Sequence, residues 1–213
     1  MTSSTHEIIA GGLLDIGAVF LRPDRPFIWA SGIKSPIYCD NRLTLSDPEL
    51  RTQIESAIAG TIREKYPEAD AIMGTSTAGI PHAAIAAHLL GLPMGYVRAG
   101  SKDHGRRNRI EGRLEPGWQV VVVEDLISTG GSVIDVVEAL RDAGAYVLGV
   151  VSIFTYGMRE SQKSLGASGI ENTSLTDFDT VVNMAARMGR IRHEDIARLM
   201  AFRDNPGDER WIL

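Results

Sequence analysis

Val120 to Val123 are four consecutive valines with no polar break, a run that predicts a strand buried on both faces within a parallel sheet. Beyond the acids Glu124 and Asp125 and a polar loop, Val133, Val136, Val137 and Leu140 recur at helical spacing, with Ser132 as the expected N-cap and Gly144 as the stop. The same strand, loop and helix order occurs earlier. Ala69 to Met73 predict a strand, Gly74 to Pro81 a small-polar loop, and a helix continues to about Leu90 with Gly91 just past it. Met94 to Val97 and Tyr146 to Phe154 read as further strands. Ser46, Asp47, Pro48 and Glu49 supply a capping residue, a first-turn proline and a reciprocal acid before the stripe Leu50, Ile54, Ile58 and Ile62, a helix to about Tyr66. Upstream, a helix is expected from about Thr5 to Phe20, then extended segments at Phe27 to Ala30 and Pro36 to Tyr38 around the turn Ser31-Gly32. Gly157 to Thr173 are polar and weakly patterned, and two helices follow, from Thr176 to Met188 and from His193 to Phe202.

This alternation predicts an α/β fold with a parallel, doubly wound sheet of at least four strands. One domain over 1–213 is expected, with a core at about 46–156 and a small hood from about 1–45 and 157–213.

Composition narrows the function classes. With 44% hydrophobic residues, no bilayer-length apolar run and no charged-then-apolar leader, the chain is expected to be soluble and cytoplasmic, with no membrane partner. Cys39, the only cysteine, cannot form an intrachain disulfide or a cysteine metal cluster, which suits a reducing compartment. A net charge of -5 argues against general nucleic-acid binding, so any basic patch should serve a small anion. One such patch exists: Arg98, Lys102, His104, Arg106, Arg107, Arg109 and Arg113 face only Asp103 and Glu111, with Gly100, Gly105 and Gly112 between. It reads either as a flexible cationic loop or as a solvated charged surface.

The acids after the valine run are costly to bury, so they should face the crevice where open α/β sheets bind ligands. Thr129, Gly130, Gly131 and Ser132 open a helix, and adjacent glycines with a helix N-terminus make a cradle for a phosphate dianion. A phosphate site beside two acids repels its ligand unless the acids address something neutral. A ribose 5-phosphate satisfies both groups.

Glu124-Asp125-Leu126-Ile127-Ser128-Thr129-Gly130-Gly131-Ser132 resembles the phosphoribosyl diphosphate motif of type I phosphoribosyltransferases, and Gly74 to His82 resemble that family's diphosphate loop. The segment Ser31-Gly32-Ile33-Lys34-Ser35-Pro36 and the loop Lys102-Asp103-His104-Gly105 resemble the orotate-specific branch. That resemblance implies the type I fold and transfer of the 5-phosphoribosyl group from 5-phosphoribosyl 1-diphosphate to orotate. The products would be orotidine 5'-monophosphate and diphosphate, with Mg²⁺ as cofactor held mainly by substrate rather than by a dedicated protein cage. By the same resemblance Glu124 and Asp125 bind ribose, and Ser128 to Ser132 bind the 5-phosphate. Ser128 and Lys34 would meet orotate. Thr75, Ser76 and Thr77 would line the diphosphate loop, and Arg98, Lys102 and His104 would close over the leaving group, reaching across a homodimer into the partner's site. Ala30, Ala78 and Ala99 stand where many relatives carry lysine, and Thr155-Tyr156-Gly157 where some carry an orotate-binding arginine. A phosphoribosyltransferase for another base, or a regulator that only senses the donor, are the rival readings.

Overall fold

The computed structural model describes residues 3–29, 32–100 and 109–212. It opens with α1 (Ser3–Asp15) and two antiparallel pairs, β1 (Val19–Leu21) with β4 (Ile37–Cys39) and β2 (Phe27–Ile28) with β3 (Lys34–Ser35). A 3-10 helix, Asn41–Ser46, leads to α2 (Pro48–Lys65). Then follow β5 (Ala71–Thr75), α3 (Gly79–Leu90), β6 (Met94–Val97), β7 (Ile110–Glu111), β8 (Gln119–Ile127), α4 (Gly131–Asp142) and β9 (Tyr146–Thr155). The chain ends with α5 (Arg159–Ala167), β10 (Asn172–Asp177), α6 (Phe178–Arg187), α7 (Asp195–Asp204) and a short 3-10 helix, Glu209–Ile212.

Six strands share one sheet in the order β10-β9-β8-β5-β6-β7, parallel except for β7 at the edge. All four valines of the central run are fully buried. Val121 and Val123 pack with Ile54, Ile58, Ala83 and Val181 of α2, α3 and α6, whereas Val120 and Val122 pack with Val133, Val137, Leu140 and Leu165 of α4 and α5. Pleating thus divides one apolar run between two helical layers, and each buried valine contributes about 1.5–3 kcal/mol.

The chain leaves β5 toward β6 and returns on the other side as β8, so β5 and β8 flank the topological switch point of the sheet. Their pairing stops at Gly74 with Val123, while β8 continues beside β9 to Ile127 with Thr155. Glu124 and Asp125 therefore lie inside a strand, at the place where one neighbour has ended.

Three expectations need correction. The first helix ends at Asp15, because Gly17 takes φ +70° and Val19–Leu21 turns back as a strand against Ile37–Cys39. The span 157–173 is not irregular but contains α5 and the start of β10. Their polarity has a physical reason: α5 buries only Ser161 and Leu165, and β10 is an edge strand joined to β9 partly through Ser152, Asn172 and Ser174 side chains. Ser132 is not the N-cap of α4, since Gly130 holds that place with φ +86°. Among the described residues, no helix is long and apolar enough to cross a membrane.

The Asp47 carboxylate accepts the Leu50 N–H at 2.9 Å and caps α2. Asp47→Ala should lower the unfolding free energy by about 1 kcal/mol in urea titration with little change in turnover.

Candidate active site

Thr75, the last residue of β5, donates from its hydroxyl to Glu124 Oε1 at 2.8 Å, and the Asp125 N–H donates to the same oxygen at 2.9 Å. Glu124 is only 6% exposed. Burial, and after it the neighbouring Asp125 carboxyl, push Glu124 up to about 8, with the Thr75 hydroxyl acting in the opposite direction. The two acids, expected to share one crevice, thus differ: Glu124 is turned in under Thr75, and Asp125 is half-buried. Asp125 is also fixed from behind, because buried Asn41 donates from Nδ2 to its carbonyl at 2.7 Å. No sequence pattern marked Asn41.

On either side of the acids a helix begins. Gly130 supplies the left-handed turn that starts α4, leaving Thr129, Gly131 and Ser132 exposed at its N-terminus. Gly79 starts α3 against the strand, and a Cβ there would lie 2.4 Å from Thr75 Oγ1 and 2.5 Å from the Val123 carbonyl. Only glycine permits that approach. Neither α3 nor α4 has a side-chain cap, whereas α2 and α6 are capped by Asp47 and Asp177. First-turn N–H groups and positive dipole ends are therefore available on both sides of the acid pair.

Of the expected diphosphate-loop residues, Thr75 is engaged with Glu124, and the Ser76 hydroxyl accepts the Ala99 N–H at 2.8 Å. Thr77 is exposed. Ser128, between acids and cradle, is half-buried. Arg98 pairs with Glu111 at 3.1 Å, and its N–H donates to the Arg109 carbonyl at 2.8 Å. Lys102 and His104 lie outside the described residues. The basic stretch was expected to lack packing, yet Arg109 is buried, and Ile110 and Glu111 pair with Val97 and Tyr96. Lys34 lies in the amino-terminal strand pairs, with Nζ 2.8 Å from Glu209. Next to those pairs, Trp29 meets Tyr156 and Phe202 edge-on at 5.6 and 5.9 Å. Tyr156 is buried, and its N–H donates to the Ile127 carbonyl at the end of β8.

Two uncapped helix N-termini flank a carboxylate pair at the switch point of a parallel sheet, where open α/β sheets bind ligands, and the class of protein is a phosphoribosyltransferase. The sequence pattern of the phosphoribosyl transferase domain matches residues 44–183. The chain is 54% identical over 206 residues to the orotate phosphoribosyltransferase of Bacillus subtilis, covering 97% of this chain and 95% of that one. The corresponding protein of Halalkalibacterium halodurans is 52% identical over 206 residues, covering 97% and 98%. Among solved structures, the orotate phosphoribosyltransferase of Aeropyrum pernix superposes with TM-score 0.75 at 28% identity, covering 86% of this chain and 99% of that one. Leishmania donovani UMP synthase gives TM-score 0.79 at 25% identity over 94% of this chain, which spans 42% of that longer protein. The chain belongs to the orotate phosphoribosyltransferase family.

Glu124 holds its proton more tightly folded than unfolded, so its contribution to stability is complete below the ordinary carboxylate range and is lost as pH rises through about 8. Glu124→Gln abolishes this titration. The stability of the variant relative to wild type should rise between about pH 5 and pH 8, by up to about 1.4 kcal/mol per pH unit, in parallel urea titrations. A difference flat with pH would mean that Glu124 ionises normally.

Proposed function

We propose that this chain joins orotate N1 to C1 of the ribose of 5-phosphoribosyl 1-diphosphate, forming orotidine 5'-monophosphate and releasing diphosphate, a step of pyrimidine biosynthesis. The observation that carries the reading is the acid pair between two uncapped helix N-termini. One end addresses the 5-phosphate, the other the diphosphate, and the neutral ribose lies between them against the acids. Orotate attacks as an anion whose N1 proton has already gone to solvent, the C1–O bond breaks, and the bonding pair leaves with the diphosphate.

The α4 N-terminus with Ser128 to Ser132 holds the 5-phosphate and fixes the ring. Asp125 accepts from a ribose hydroxyl and lies near the positive charge that grows on the sugar, while Glu124 completes the ribose contact from beneath. Arg98, Lys102 and His104 offset the charge gained by the leaving group. Ser128 and Lys34 are the proposed orotate contacts. In this reading the amino-terminal strand pairs and the residues after 157 form a hood over the strand ends, joined through Trp29, Tyr156 and Phe202.

Mg²⁺ fits these residues as a hard ion that keeps waters and binds through one or two carboxylates plus substrate phosphates, and Asp125 is the carboxylate that would help to hold it. Bound there, it would neutralise part of the diphosphate charge. The composition supports a cytoplasmic enzyme, and a symmetric dimer with basic segments crossing between sites completes the reading.

Asp125→Asn should lower turnover by about 10²-fold or more in a spectrophotometric assay of orotate consumption, with folding retained. Near-normal turnover would remove the ribose assignment, and wild-type protein that binds the donor without consuming orotate would favour a sensor.

Shared sites have a separate test in Lys102→Ala and Asp125→Asn homodimers, each nearly inactive and then allowed to exchange subunits. Random mixing should recover roughly a quarter of wild-type activity, because about half the dimers are hybrids with one intact site in two. A mixture that stays as inactive as its parents, with exchange confirmed, would mean that each segment serves its own chain.

A further inference from the structure

Asp125 lies in β8 just beyond the end of its pairing with β5, and in a strand the N–H and C=O of one residue point to the same side. Its N–H donates to Glu124 Oε1, the oxygen that also accepts the Thr75 hydroxyl, so both groups face the side on which β5 has stopped. A longer strand would have taken them. Instead the carbonyl accepts from Asn41 Nδ2 at 2.7 Å. Asn41 is 1% exposed, and each end of its amide has a partner of matching chemistry: the Cys39 thiol donates to Oδ1 at 3.2 Å, and the Asp125 carbonyl can only accept, from Nδ2. Asn41 is itself held from two directions. The fully buried Thr44 hydroxyl donates to its carbonyl at 2.6 Å, and the preceding Asp40 donates from its N–H to the Ala18 carbonyl at 2.8 Å, next to the pairing of Val19–Leu21 with Ile37–Cys39. One side chain therefore completes the interrupted ladder of β8 and connects it to the amino-terminal strand pair.

We infer that Asn41 is a positioning residue for phosphoribosyl transfer: it replaces the strand partner that β5 no longer offers, and so fixes the stretch of β8 that presents Asp125 and leads into the loop that starts α4. The inference rests on the proposed function. A backbone carbonyl left without a partner at this gap would turn toward another donor or admit water, and either would shift the residues that follow it. Those residues run through Ser128 to the helix start at Gly131, so the contacts proposed for ribose and for the 5-phosphate would move together. A displacement of about 1 Å at a reacting group can cost on the order of 10²-fold in rate. The diphosphate side of the gap belongs to β5 and α3, so the two halves of the donor report separately on what Asn41 does.

Asn41→Ala and Asn41→Asp test this. Both remove the amide donor, and the second keeps the shape of the side chain and the acceptor for Cys39, so it is expected to fold even if the first does not. Affinities for ribose 5-phosphate and for magnesium diphosphate would be measured by calorimetry, beside steady-state kinetics with donor and orotate varied in turn. Asp47→Ala, which loses a helix cap and keeps the Asn41 link, serves as the destabilised reference. In the Asn41 variants, ribose 5-phosphate affinity and kcat/KM for the donor should fall about ten-fold or more, while magnesium diphosphate affinity stays within about two-fold of wild type. The reference should match wild type for both ligands. Equal losses for the two ligands would overturn the inference, because Asn41 would then only support the fold or, in Asn41→Asp, act through an added charge. Retained ribose 5-phosphate affinity would mean that it positions nothing, and a loss in Asn41→Ala alone would trace the effect to a cavity instead of the missing donor. Wild-type protein that binds no ribose 5-phosphate would overturn the proposed function itself, and this inference with it.

Discussion

The site depends on a difference in strand length. β5 stops pairing at Gly74 whereas β8 continues beside β9 to Ile127, so the backbone after Val123 has a strand partner on one side only. Because β5 and β8 flank the switch point, α3 and α4 both start at this gap. Extending β5 would close the gap, and shortening β8 would remove the acids from it. Gly79 shows how tightly the arrangement is drawn, since its helix start lies in contact distance of the Val123 carbonyl where the pairing ends.

Placing acids beside anion cradles creates an electrostatic conflict, and the structure eases it through burial. Glu124, enclosed beneath Thr75 and beside Asp125, holds its proton into the neutral range, so the pair carries less than its formal charge before a ligand arrives. All three described arginines of the basic region have local acids: Arg98 with Glu111, Arg109 with Asp135, Arg113 with Glu115. In a chain of net charge -5, attraction of an anion at this gap comes, among the described residues, chiefly from oriented backbone.

Much of this was legible in the sequence because it follows from local pattern. The valine run, the glycine-opened helices and the alternation of strand and helix each arise within about a dozen residues, where periodicity and turn chemistry decide the outcome. What escaped notice was set by partners distant in sequence. Asn41 reaches Asp125 across 84 residues, and Thr75 reaches Glu124 across 49. Arg109 looked like one more solvated cation until Asp135, 26 residues on, enclosed it. α5 and β10 escaped for a different reason: a helix with two buried residues and an edge strand joined by hydroxyls lack the apolar rhythm by which such elements are recognised.

On the proposed reading, the same layout selects its donor by exclusion as well as attraction. Two positive helix ends would welcome any polyphosphate that spans them. The acids between them penalise negative charge at the middle of the span, where a linear polyphosphate would place it, and accept hydroxyls there instead. A ligand must therefore be anionic at both ends and a neutral polyol between, which describes 5-phosphoribosyl 1-diphosphate and few other phosphates. The backbone of Asp125 is held on both sides, its carbonyl by Asn41 and its N–H by Glu124, so β8 presents this residue at a fixed point between the two helix ends. The hydrogen bonds that hold this backbone therefore fix the point from which the acid meets an unsuitable anion.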